Sequence, residues 1–129
     1  MMETGSVACV THRVGEADTA AAMGSGSLPV LATPRLAAWM EEAACACVAG
    51  ALAPGDTSVG VELQLRHLAP TAVGSEVTCR AALTAVDGRR LTYHIEAREG
   101  ELTVGEAEHT RVVVTADRFL QKLAARGEG

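Results

Sequence analysis

Alternation of apolar and polar positions dominates this chain, interrupted once by a long apolar run. Residues 6–14 (SVACVTHRV) read as a short first strand, followed by a small Ala-rich segment and the loop sequence GSGS at 24–27. Thr33 and Pro34 stand where an N-cap and a first helical residue belong. They open a helix-forming run, LAAWMEEAACACVAGALA at 36–53, that Pro54 and Gly55 end. The run is apolar nearly all the way round, as expected of a helix that protein surrounds. Four β-rich segments follow at 57–68, 75–86, 89–98 and 102–114, with hairpin signals at Asp87-Gly88 and, more weakly, Gly100-Glu101. A polar helical tail at 116–126 closes the chain. The chain thus reads as a strand, a long buried helix and an antiparallel meander of four strands. One sheet packed on one apolar helix is an α+β arrangement, and the sheet must curl to cover that helix.

Period-2 alternation assigns the faces. Val59, Val61, Leu63 and Leu65 share one side of the second strand and His67 continues it, whereas Glu62, Gln64 and Arg66 share the other. Val77, Cys79, Ala81 and Leu83 mark the inner face of the third strand, and Leu91, Tyr93 and Ile95 that of the fourth. His94 is expected to face out. In the last strand Glu106 and Glu108 want water, which turns Gly105, Ala107, His109 and Arg111 inward. An inward arginine needs an anion or a cluster of carbonyls.

Composition narrows the function. The 129 residues suit a single domain spanning 1–129, and 48% hydrophobic content is enough for a core. A formal charge of -5 and one residue each of Phe, Tyr and Trp leave neither the basic stripe nor the stacking platforms of a nucleic-acid binder. Glu41 and Glu42 sit in the longest low-charge stretch, which argues against a membrane span, and the N-terminus lacks the pattern of a signal peptide. Cys9, Cys45, Cys47 and Cys79 show no CxxC spacing and read as buried free thiols in a reducing cytoplasm. The four scattered histidines suggest no metal site.

Two adjacent glutamates interrupt the apolar helix, and neighbours on a helix differ by about 100° in direction, so only one can comfortably reach water. The inward carboxylate needs a partner, for which His67 is the first candidate, either as a structural ion pair or as a catalytic one. Thr33 has a plain capping explanation. It also stands at a positive helix end, which suits a developing oxyanion.

These residues resemble a known family. VLATPRLAAWMEEAAC (30–45) followed by VGVELQLRHLAPTAVGS (59–75) is similar to the fluoroacetyl-CoA thioesterase branch of hotdog thioesterases. In that family a Thr opens the central helix, a Glu follows eight residues later, and a His twenty-six residues further heads a His-x-x-Pro-x-x-x-Gly element. Thr33, Glu41 and His67 match that spacing, as do Pro70 and Gly74, and the likeness extends to Gly60, to VDGRRL at 86–91 and to GEAEHTR at 105–111.

The resemblance implies a hotdog fold, a five-stranded antiparallel sheet wrapped around a long central helix, with two subunits joined sheet to sheet and the active site at their interface. It implies an acyl-CoA thioesterase in which Thr33, Glu41 and His67 are catalytic and Glu41, not Glu42, is the inward carboxylate. Gly60 and Arg111 would contact substrate. An acidic protein must bind the phosphates of coenzyme A through a local basic patch, for which Arg111, Arg35 and Arg66 are the candidates, with satisfaction of buried carbonyls as the competing role of Arg111. Coenzyme A would be part of the substrate, with no bound cofactor. Gly and Ser occupy 24–27, where the fluoroacetyl-specific enzyme carries a phenylalanine lid, and this argues against fluoroacetyl as the acyl group. A non-catalytic acyl-CoA-binding module and a hotdog hydratase or dehydratase are the alternatives.

Overall fold

A computed structural model describes residues 2–128. Its strands are β1 (Val7–Arg13), β2 (Asp56–His67), β3 (Glu76–Asp87), β4 (Arg90–Glu99) and β5 (Leu102–Thr115). They form one antiparallel sheet in the order β1-β3-β4-β5-β2, so the expected four-strand meander holds only for β3, β4 and β5. Strand β2 pairs with β5 and β1 lies beside β3, the chain crossing from β2 to β3 through residues 68–75 rather than a tight hairpin. The helices are α1 (Ala20–Met23), the central α2 (Thr33–Val48) and the tail α3 (Ala116–Glu128). Strand boundaries fall within a residue or two of those expected. The β3–β4 and β4–β5 turns each place a glycine first, Gly88 and Gly100, at φ +59°, a value that suits tight hairpins.

The central helix is shorter than its apolar run. It ends at Val48, and Ala49–Ala51 form a single 3₁₀ turn. Gly50 is a poor helix former, and Ala53, preceding Pro54, is steered away from helical angles, so the last part of the run tightens and leaves the helix. One face of α2 packs on the sheet through Leu36, Trp39, Met40, Ala43, Ala44 and Val48. The opposite side, with Ala38, Glu42, Cys45 and Ala46, lies open. Within one chain the sheet therefore covers half of the helix rather than enclosing it.

The inner faces of β3 and β4 are as the alternation requires: Val77, Cys79, Ala81, Leu83, Leu91, Tyr93 and Ile95 are all buried. Strand β2 departs from it. A bulge between Gly60 and Glu62 leaves Val61 unpaired and half exposed, and the extra residue inverts the pattern. Before the bulge Ser58 and Gly60 face the helix in place of Val59 and Val61. After it Leu63, Leu65 and His67 do. Not all the thiols are buried either: Cys9 and Cys45 are exposed.

The apolar side of the helix packs tightly on Gly105 of β5, where a Cβ atom would lie 3.0 Å from Leu36 Cδ2 and 3.3 Å from both Met40 Cε and the Arg66 carbonyl oxygen. A branched side chain there has no room, so Gly105→Val should destabilise the fold by about 1–3 kcal/mol in urea unfolding. A variant as stable as the parent would mean that this approach can relax freely.

Candidate active site

Two polar clusters line the helix–sheet contact. The first lies at the start of α2. Ala32, not Thr33, is the N-cap residue, and no side chain caps the helix. With Thr33 one position further in, its hydroxyl is free of the capping role and forms a 2.7 Å hydrogen bond with Nδ1 of His67. His67 ends β2 opposite Gly105. Its Nε2 is buried without a hydrogen-bond partner, and burial pushes its pKa below the ordinary 6.5, so the ring is neutral near pH 7. If the threonine O–H donates to Nδ1, the proton of the neutral ring sits on Nε2. A cleft of about 320 Å³ adjoins the pair, walled by Val30, Leu31, Leu68 and Pro70.

The second cluster surrounds Arg111. Its Nε donates to Ser58 Oγ at 2.8 Å and Nη2 to the Ser58 carbonyl at 3.0 Å. Nη1 lies 3.4 Å from Glu41 Oε2 and 3.2 Å from His109 Nε2. His109 is 1% exposed and its Nδ1 is 2.7 Å from the Glu62 carbonyl oxygen. A carbonyl can only accept, so Nδ1 carries the proton and Nε2 accepts from Arg111. Burial is the main cause lowering the His109 pKa. The Glu62 carbonyl opposes it, Arg111 reinforces it and Glu41 opposes it. Gly60 closes the cluster, since a Cβ there would lie 2.8 Å from Glu41 Oε2 and 3.3 Å from Arg111 Nη1.

Several expectations change. The partner of Glu41 is Arg111, with His109 Nε2 at 3.9 Å, and not His67, with which it makes no hydrogen bond or ion pair. The reason is helical rise: eight residues separate Thr33 from Glu41, about 12 Å along the axis, so His67 meets the first turn while Glu41 lies two turns on. Nor is Glu41 dry within one chain, its side chain being 42% exposed. Glu42 points the other way and pairs with His12 at 2.7 Å, whose ring stacks on Trp39. Arg35 pairs with Asp18 at 2.9 Å, and the exposed Arg66 has Glu106 at 3.5 Å. His94 faces out and meets Glu108.

Sequence reasoning missed Ser58 and the part played by His109. The inward series Gly105, Ala107, His109, Arg111 did place the histidine beside the arginine. Ser58 was hidden by the bulge, which a strict two-residue period cannot register.

Both buried histidines have pKa values lowered by folding, which fixes a pH dependence. Above about 6.5 the folded and unfolded chains are both neutral at these positions, and their contribution to stability is fully present. As pH falls the unfolded chain gains protons that the folded one resists, and stability is lost toward the lower folded values. The urea midpoint should therefore drop between pH 7.5 and 5, and the drop should shrink in His109→Gln. An identical pH dependence in that variant would show that His109 does not bind its proton differently in the two states.

Residues 14–117 match the family described as fluoroacetyl-CoA-specific thioesterase. A fluoroacetyl-CoA thioesterase of Streptantibioticus cattleyicolor is 35% identical over 94 residues, 73% of this chain and 68% of that protein. A solved structure of a fluoroacetyl-CoA thioesterase has a TM-score of 0.90 at 29% identity, covering 97% of each chain. One of a variant of such an enzyme with fluoroacetate and CoA has a TM-score of 0.86 at 29% identity, covering 92% of this chain and 99% of that one. A Thermus thermophilus protein of the thioesterase superfamily, 24% identical, shares the fold at a TM-score of 0.89, covering 99% of this chain and 97% of that one. This chain belongs to the fluoroacetyl-CoA-specific thioesterase family and has its hotdog fold.

Proposed function

We propose that the protein is an acyl-CoA thioesterase acting as a homodimer, with Thr33, Glu41 and His67 as its catalytic residues and Gly60 and Arg111 beside the substrate. The observation that carries this reading is the 2.7 Å Thr33–His67 bond at the uncapped start of α2, on the helix that also holds the Arg111-bound Glu41. The thioester oxygen is received beside Thr33 by the free N–H groups at the positive end of the helix, where charge builds in the tetrahedral intermediate. Across the dimer interface, Glu41 of the second chain, charge-balanced by Arg111, takes a proton from the attacking water as its oxygen bonds to the carbonyl carbon. The C–S bond then breaks with the departing thiolate accepting a hydrogen bond from Nε2–H of neutral His67, and the proton held by Glu41 passes through solvent to the thiolate, which resets the site.

The homodimer follows from what one chain leaves open. Strand β2 is a twelve-residue edge with an exposed Val61, and the bare face of α2 is mostly alanine and cysteine. Long unprotected edges and apolar helix faces are unusual in monomers. Pairing β2 with its symmetry mate lays a second chain over that helix, shields Glu41 and adds a wall to each cleft. Coenzyme A enters as part of the substrate, and no cofactor takes part. Four free thiols fit a reducing cytoplasm, and no helix among the described residues is long and apolar enough to cross a membrane.

Glu41→Gln keeps the shape and removes the base, so kcat should fall by about 10²–10⁴-fold with an unchanged circular dichroism spectrum. Turnover within a few-fold of the parent would remove Glu41 from the chemistry. Thiol release from a panel of short, branched and aromatic acyl-CoAs decides the class of function: none from any member would favour a binding module, and loss of enoyl absorbance without thiol release a hydratase. Light scattering should report twice the 13.3 kDa chain mass, and a monomer at micromolar concentration would sink the shared site.

A further inference from the structure

A coenzyme A thioester brings several phosphate charges to a protein whose net charge is -5. Of the eleven lysines and arginines, Arg13, Arg35, Arg66, Arg89, Arg98 and Arg111 each have a carboxylate within 4 Å. Among the described residues the other five do not, and three of those five, Arg118, Lys122 and Arg126, fall four residues apart on α3. That spacing sets them along one side of the helix. Beside them runs a second stripe, Phe119 and Leu123, 40% and 45% exposed.

The two stripes border connected hollows. One, of about 250 Å³, lies between α3 and the end of β5, with Arg89, Thr115, Arg118, Phe119 and Lys122 in its walls. The next, of about 220 Å³, shares Phe119 and Lys122 and continues to Leu123 and Arg126. Arg89 reaches in from the β3–β4 turn, with Asp56 at 3.8 Å and its Nη1 donating to the Val113 carbonyl at 3.3 Å. Asp87 and Asp117 are the acidic residues nearest in sequence to these cations among those with described side chains. Gathering cations on one short helix costs mutual repulsion, which a bound polyanion would relieve. The hollow also lies in line with the site: β5 carries Arg111 and runs on for four residues to Thr115, about 13 Å, directly into α3.

We infer that this cleft binds the adenosine 3′-phosphate 5′-diphosphate end of coenzyme A, with Arg89, Arg118 and Lys122 on the phosphates and Phe119 stacked on the adenine ring. The inference rests on the thioesterase reading for its ligand but not for its geometry. Arg111, committed to Glu41, His109 and Ser58, is left to the reacting end of the substrate. The nucleotide end is held by a separate element, outside the helix–sheet layer. Such a site contributes ground-state binding, so its loss should appear in KM and in salt dependence rather than in kcat.

The test compares three thioesters of one acyl group, carried on coenzyme A, on dephospho-coenzyme A and on pantetheine, in the parent and in the double variant Arg118→Ala, Lys122→Ala. The variant should raise KM for the full coenzyme A ester about tenfold or more, flatten its dependence on salt and leave the pantetheine ester unaffected. Dephospho-coenzyme A should fall between the two. Equal changes for all three esters, or none, would overturn the assignment. Calorimetric titration with adenosine 3′,5′-bisphosphate needs no turnover. Binding that the double variant loses supports the cleft even if no thioester is hydrolysed, whereas absence of binding to the parent counts against the cleft even if thioesters are hydrolysed. The two readings therefore fail separately.

Discussion

A guanidinium set between a helix and a sheet must be met by acceptors on every side, because an unpaired buried charge costs several kcal/mol. Arg111 is 7% exposed, and all three of its nitrogens are engaged by Ser58, Glu41 and His109. That demand fixes the surroundings. Ser58 has to face inward, His109 has to be neutral and present a lone pair, and residue 60 can have no side chain. Glu41, on the neighbouring helix, is thereby held in one direction.

One irregularity makes this possible. The extra residue at Val61 turns Ser58 and Gly60 toward the helix while leaving Leu63, Leu65 and His67 inward further along the same strand. A regular strand with the downstream residues in place would put Val59 and Val61 beside Arg111, which offer it nothing. The bulge also exposes the Glu62 carbonyl to His109 Nδ1, and this hydrogen bond selects the tautomer that can accept from Arg111. Backbone geometry, imidazole protonation and carboxylate placement are parts of one arrangement.

The two clusters divide the chemistry. At the head of α2 a hydroxyl, a neutral imidazole and a helix terminus suit a developing oxyanion and a departing thiolate. Two turns further on, a charge-balanced carboxylate suits water activation. About 12 Å of helix separates them, so the two clusters of one chain cannot act on the same carbonyl, whereas in a homodimer a second subunit laid across the open face would bring the head of its own helix to Glu41. The bare edge of β2 and the alanine-rich side of α2 give such a subunit its contact.

The sequence by itself determined the bounds of the strands, the inner residues of β3, β4 and β5, and the inward turn of His109 and Arg111, but not the place of β2 at the edge beside β5. What it determined follows from local alternation, which needs no knowledge of what lies opposite. The resemblance added the choice of Glu41 over Glu42, which the periodicity had left open. Only the tertiary structure decided that Arg111 is the partner of Glu41, that Thr33 bonds His67 and does not cap the helix, and that Ser58 faces inward. Those facts depend on where a bulge falls and on how far along α2 each strand crosses, and both are set by the packing of layers distant in the chain rather than by neighbouring residues.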